Sequence, residues 1–266
     1  MTDVPLIDIH NATIYRGDTR VFENFSLTID QHEQVAILGP NGCGKTTLLK
    51  TLNREIYPVV RDQSWVRILG RDRWNVWDLR AHIGIVSHEL QMRYTKTNTG
   101  LHVVMSGYLS SIGIHGILSG QLGDDQRQRA LDVMDDLAIA DLADKRLGQM
   151  STGQQRRCLL ARAMVHDPDT LIFDEPTAGL DLSASFDLLH RIRKLVASGK
   201  SLLFVTHQLN EIPPDIRRVI LIRKGKIVAD GEKRQVLTEE NLFRTYDTNI
   251  RVSEVGGYYL ASPGNS

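Results

Sequence analysis

Residues Gly39-Pro40-Asn41-Gly42-Cys43-Gly44-Lys45-Thr46 read G-x-x-x-x-G-K-T, the spacing of a phosphate-binding loop. Glycines let a backbone close around phosphate with its N–H groups turned inward. A helix starting near Gly44 adds the positive end of its dipole. Lys45 offers a point charge for the β and γ phosphates, and the Thr46 hydroxyl suits Mg²⁺. Far downstream, Leu171-Ile172-Phe173 is an apolar run that ends in two acids, Asp174 and Glu175. Together these residues predict binding of a nucleoside triphosphate with Mg²⁺, and its hydrolysis.

Such a loop works only if a strand leads into it and a helix leads out. Gln34-Val-Ala-Ile-Leu38 is a short apolar run that predicts a buried strand. Thr46 to Leu52, with Thr47 in its first turn, predicts a helix with Leu48, Leu49 and Leu52 on one side. Further strand candidates are Trp65–Leu69, Ile83–Val86, Leu171–Phe173, Leu202–Val205 and Val219–Ile222. Helical stretches between several of them favour a mainly parallel core sheet. Leu6–Ile9, Val21-Phe22 and Phe25–Ile29, separated by polar turns such as Arg16-Gly17-Asp18, predict an antiparallel edge. Residues 89–165 show no clear strand, and Ala130, Leu131, Met134, Leu137 and Ala138 recur at helical spacing. Arg223–Lys226 reads as a hairpin turn before Ile227–Ala229, and the stretch from Gly256-Gly257 onward is weakly patterned. The expected fold is therefore α/β: a P-loop core (1–88 and 166–235) with a mainly parallel sheet, an antiparallel β edge, an inserted helical subdomain (89–165) and a C-terminal extension (236–266), all in one domain.

The composition sets bounds. Lys plus Arg and Asp plus Glu number 32 each, so no global field favours nucleic acid. Local basic pairs such as Arg156-Arg157 and Arg217-Arg218 read as solvated faces. Two cysteines, Cys43 and Cys158, are too few for a disulfide framework. The first residues show no secretory pattern, and no run approaches 18 apolar residues. A cytoplasmic protein is expected. Any membrane process it powers needs other chains for the spans. No N-K-x-D run is present, which argues against guanine reading.

Five further elements in order make the chain resemble the ABC (ATP-binding cassette) ATPases over nearly its whole length. Met150-Ser151-Thr152-Gly153-Gln154 is similar to the family signature L-S-G-G-Q, departing at Met150 and Thr152. Asp174-Glu175-Pro-Thr resembles the Walker B region, Ala178-Gly-Leu-Asp181 the D-loop, and His207 the switch histidine. The resemblance implies roles for these residues. Tyr15 would stack on adenine, and residues Gly39–Thr47 would hold the phosphates. Thr46 and Asp174 would ligate Mg²⁺, Glu175 would activate water, and His207 would contact the γ-phosphate. Ser151, Gly153, Gln154 and Asp181 would act on ATP held by a second cassette, most simply another copy of this chain. His88 stands where the family has a glutamine that reaches Mg²⁺, so it is the third metal candidate; Gln91 is close but offset. The run Ser87–Tyr94, with Thr99-Gly100 and Val104–Gly107, resembles a branch of small single cassettes carrying molybdate-transport or photorepair labels. The implied function is the ATPase subunit of a membrane transporter with separate permease chains. A soluble stand-alone ATPase with a remodelling or regulatory role is the alternative.

Overall fold

The computed structural model describes residues 4–109 and 122–264. Part of the expected helical insertion, 110–121, therefore lies outside the described residues. The chain forms two compact units, Met1–Val76 with Arg193–Ser266, and Trp77–Ile192.

In the first unit, β1 (Ile7–Arg16) and β2 (Thr19–Ile29) form an antiparallel hairpin closed at Gly17, whose φ is +58°. The two expected runs Val21-Phe22 and Phe25–Ile29 are one strand. Asn24, at φ +50°, and register shifts opposite Ala12 absorb the irregularity between them. β3 (Gln34–Leu38) leads into α1 (Lys45–Leu52), and β4 (Trp65–Ile68) returns to pair with the far side of β1.

The second unit begins in α2 (Val76–His82) and holds β5 (Ile83–Ser87), α3 (His88–Arg93), α4 (Gly100–Met105), α5 (Asp124–Asp136), α6 (Thr152–Met164) and β6 (Thr170–Asp174). α7 (Leu182–Ala197) follows. Among the described residues, 89–165 contain helices and no strand. β5 and β6 are parallel, from Ile83 opposite Thr170 to Ser87 opposite Asp174.

The first unit then resumes with β7 (Ser201–Thr206), β8 (Arg218–Arg223) and β9 (Lys226–Glu232). β3 lies between β7 and β8 and is parallel to both, while β9 is antiparallel to β8. Val35, Ala36, Ile37 and Leu38 are all buried, which is what a strand covered on both faces requires. The β8–β9 turn is Lys224-Gly225, both at positive φ, as expected of a tight hairpin. The chain ends in α8 (Lys233–Val236), α9 (Glu239–Tyr246), β10 (Ile250–Val255) and β11 (Tyr258–Pro263). The weakly patterned tail of the sequence is thus an ordered hairpin. Gly256 and Gly257, at φ +59° and +82°, make its two-residue turn, and Tyr259 is buried.

Candidate functional site

The phosphate loop is braced on several sides, all within the first unit. Gly42 and Gly44 have φ of +78° and +118°, angles that a residue with a Cβ adopts at a cost. A Cβ on Gly44 would also meet the Phe22 ring at 2.6 Å, and one on Gly39 would overlap the Ile222 carbonyl oxygen. The hairpin turn reaches the loop directly, with the Gly225 N–H donating to the Cys43 carbonyl at 3.0 Å. Lys45 is buried and its Nζ donates to the carbonyls of Gly39 (2.6 Å) and Pro40 (3.1 Å), so its charge curls over the loop. α1 has no acid in its first turn, which leaves the positive end of its dipole uncompensated. Pro40 and Thr46 are half-buried, Asn41 and Gly42 are exposed, and Thr47 is buried in the helix.

The Cys43 thiol is buried as well. A helix N-terminus favours a thiolate, but here burial prevails. Desolvation pushes the Cys43 pKa up against the opposing charge of Lys45, so the sulfur is a thiol.

The sheet register sets His207 beside the loop. Leu38 and Thr206 are paired, so the next residues, Gly39 and His207, leave the ends of adjacent parallel strands. The turn at His207 is held by Thr206, whose hydroxyl donates to the Glu211 carboxylate and accepts from the Gln208 N–H at 3.0 Å. Tyr15 lies near the end of β1, opposite Arg20, and is exposed.

In the second unit the same logic brings His88 and Glu175 to adjacent strand ends, one residue beyond the pair Ser87 and Asp174. Glu175 has φ +46°, a left-handed conformation uncommon for a residue with a side chain, and such strain clusters at functional sites. Ser151 is the N-cap of α6 and forms a capping box with Gln154: its hydroxyl accepts from the Gln154 N–H at 3.2 Å, and the Gln154 side chain accepts from the Ser151 N–H at 3.1 Å. Asp181 caps α7, accepting from the Ala184 N–H at 2.8 Å. Ser151, Gly153, Gln154, Arg157 and Asp181 line one open cavity of about 360 Å³. The unit therefore gathers the signature and D-loop residues into one polar recess at a helix N-terminus.

Arg156 was expected on a solvated face, and it is the largest fully buried side chain among the described residues. It lies on the apolar side of α6 at helical spacing with Leu159, Leu160 and Ala163, and that periodicity was the signal for its burial. Its Nη2 donates to the Ala178 carbonyl at 3.2 Å and lies 3.4 Å from His88 Nδ1, while Nε and Nη1 have no hydrogen-bond partner. Burial pulls its pKa down to about 10, against the favourable charge of Asp174. A guanidinium only donates, so the facing His88 nitrogen is an acceptor. Gln91 is buried and donates to the Gln155 side chain at 2.8 Å, packing α3 on α6.

A Mg²⁺ ion takes hard oxygen donors, one or two from carboxylates and the rest from water and phosphate. The Thr46 hydroxyl and Asp174 carboxylate fit that chemistry. Among the described residues no group of three or more His, Cys, Asp and Glu gathers as an all-protein cage would require.

The ABC transporter family matches residues 22–178. The chain belongs to that family and is an ABC ATPase. It is 30% identical to the uncharacterized ABC transporter ATP-binding protein YlmA of Bacillus subtilis (strain 168), over 93% of each chain. It is 35% identical to the ABC transporter ATP-binding protein ModF of Escherichia coli (strain K12), over 88% of this chain and 47% of ModF. The fold is shared with the ATP-binding cassette MJ0796, in a dimeric post-hydrolysis state bound to ADP and Pi: TM-score 0.69, 26% identity, 85% of this chain and 98% of that one.

Proposed function

We propose that this ATPase is the nucleotide-binding subunit that energises a membrane transporter, acting as a homodimer at the inner face of the membrane with separate permease chains. Among the described residues no helix is long and apolar enough to cross a membrane, so this reading assigns the spans to those chains. The observation that carries the paired reading is the recess lined by Ser151, Gly153, Gln154 and Asp181. It is polar, open, and sits at the start of α6, where the helix dipole favours an anion. A γ-phosphate held by a second copy fits that chemistry.

In this scheme Tyr15 stacks on adenine, and the loop of residues 39–47 wraps the phosphates with its backbone N–H groups, Pro40 excepted. Lys45 neutralises charge on the β and γ groups. Thr46 and Asp174 supply the protein ligands for Mg²⁺, which offsets phosphate charge when bound. Glu175 accepts a hydrogen bond from the attacking water, and His207 contacts the γ-phosphate. His88 is the remaining metal candidate by position, although the nitrogen facing Arg156 is occupied as an acceptor. That same observation favours a second reading. A residue turned toward its own unit in place of the usual glutamine suits a stand-alone ATPase that acts on a non-membrane target. The similarity to ModF supports the small-cassette branch with molybdate-transport or photorepair labels.

Mixing Ser151→Arg chains with Glu175→Gln chains tests the pairing. A shared site predicts hydrolysis recovered in mixed dimers at one of two composite sites at most, and none in Ser151→Arg alone. Full-rate hydrolysis by a strictly monomeric protein would refute it. Detergent extraction of membranes from cells carrying the tagged chain separates the two readings: a co-purifying multi-span protein supports transport, and its absence supports the stand-alone ATPase.

A further inference from the structure

The chain between β7 and β8, residues 207–217, has little regular structure beyond a 3₁₀ turn at Leu209–Glu211. A segment of that kind is free to move unless other elements hold it. Here the C-terminal elements hold it, all within the first unit.

The Tyr246 hydroxyl, at the end of α9, donates to the His207 carbonyl at 3.4 Å. Burial raises the Tyr246 pKa, and Cys43 of the phosphate loop lies near enough to add to the effect. One phenol thus stands near both phosphate-facing loops. β11 packs against the 3₁₀ turn that follows His207. The hairpin turn approaches Pro214 so closely that a Cβ on Gly257 would come within 2.8 Å of the proline Cβ. Lys233 is buried and its Nζ donates to the carbonyls of Pro213 (3.0 Å) and Pro214 (3.1 Å), while lying 5.7 Å from the centre of the Tyr259 ring. Arg193 of α7 pairs with Asp215 at 2.6 Å, with Tyr258 of the hairpin nearby. The tethers are spaced along the segment, at 207, 213, 214 and 215, and most of them come from α8, α9 and the hairpin.

We propose that the C-terminal elements form a clamp that positions His207, with Tyr246 as its key residue, so that the site can distinguish a nucleoside triphosphate from a diphosphate. This rests on the reading of His207 as the γ-phosphate contact. The clamp touches neither phosphate nor metal. It acts by fixing the peptide that carries the histidine, and a freed peptide would weaken the contact to the terminal phosphate alone. Contacts to the α and β phosphates belong to the loop at 39–47 and stay as they are.

The test uses the full-length chain and calorimetry with ADP and with a non-hydrolysable ATP analogue, in wild type, His207→Ala, Tyr246→Phe and Lys233→Met. Tyr246→Phe removes one oxygen and keeps the ring. Its preference for the triphosphate should fall by about three- to tenfold, the loss of one hydrogen bond, with ADP affinity unchanged. Lys233→Met should act in the same direction. His207→Ala should lose at least as much, and adding Tyr246→Phe to it should cost nothing further, because both act through one contact. If His207→Ala loses the preference while Tyr246→Phe and Lys233→Met keep it, the clamp is refuted and the histidine's role stands. If His207→Ala keeps the preference, the histidine is not the γ-phosphate contact, and the clamp falls with it. Equal losses for both nucleotides, tracking a lower melting temperature, would mean that Tyr246 only stabilises the fold, and would also refute the clamp.

Discussion

At the start of α1 the backbone meets its neighbours on several sides: Gly39 lies against Ile222, Cys43 accepts from Gly225, and Lys45 folds back on Gly39 and Pro40. At the start of α6 the chain is largely bonded to itself, with Ser151 and Gln154 satisfying each other in an exposed capping box. Both are helix N-termini suited to an anion. The first is held in shape by the rest of its unit, so it is suited to tight binding. The second spends the Ser151 and Gln154 N–H groups on its own cap and must loosen that cap for a phosphate, which suits a contact made and broken in each cycle.

The sharpest way to break this contrast is to separate binding from turnover. Glu175→Gln should lower steady-state phosphate release by about 10² to 10⁴-fold, the range for a lost general base, with nucleotide affinity intact. A matching loss in equilibrium nucleotide binding would show that the two units do not divide the work this way. A second test adds one methyl on each side. Gly39→Ala drives a Cβ into the Ile222 carbonyl, so it should cost about 1–3 kcal/mol in denaturant unfolding and abolish nucleotide binding. Gly153→Ala meets the Ala184 Cβ at 3.0 Å and the Ser151 Oγ only at 4.0 Å, and a helical Gly→Ala gain of up to about 1 kcal/mol offsets the closer contact, so its unfolding midpoint should barely move. Equal destabilisation would erase the contrast.

Smaller effects sharpen it. Ser151→Ala removes the cap and should cost about 1 kcal/mol in thermal unfolding while ATP binding persists. The mildest probe is chemical. Only the thiolate reacts with an alkylating agent, and burial raises the Cys43 pKa, so its labelling should be slow at neutral pH and rise with a midpoint above the ~8.5 of a free cysteine. Bound MgATP should slow it further. Cys158, pushed up to about 12, should stay unlabelled in the folded protein. Rapid neutral-pH labelling of Cys43, read by mass spectrometry, would mean that the loop opens more than its bracing allows.

The parts legible in the sequence were those set by short-range pattern. The phosphate loop and the apolar strands at 34–38 and 171–173 each follow from residues within one turn or strand. What stayed hidden depends on contacts far apart in sequence. The polar partners of Arg156, at His88 and Ala178, lie 68 and 22 residues away, and Tyr246 meets a carbonyl 39 residues away. The terminal hairpin was passed over for another reason. Gly256-Gly257 is a tight-turn signal, but the flanking strands expose most of their side chains and so lack a strong alternation of apolar and polar residues. The Cys43 thiol feels two opposing influences, the Lys45 charge and the loss of water, whose balance depends on how deeply the sulfur sits.

The burial of both sulfurs of cysteine also decides how this ATPase meets an oxidant. A thiol kept protonated and away from solvent does not start up the ladder toward sulfenic acid. Peroxide should therefore spare the nucleotide loop and find the most open sulfur among the described residues instead, the thioether of Met92, which is 71% exposed on α3. Its sulfoxide would form four residues from His88, so oxidative damage would alter the helix that carries the site's unusual histidine and leave the phosphate grip untouched.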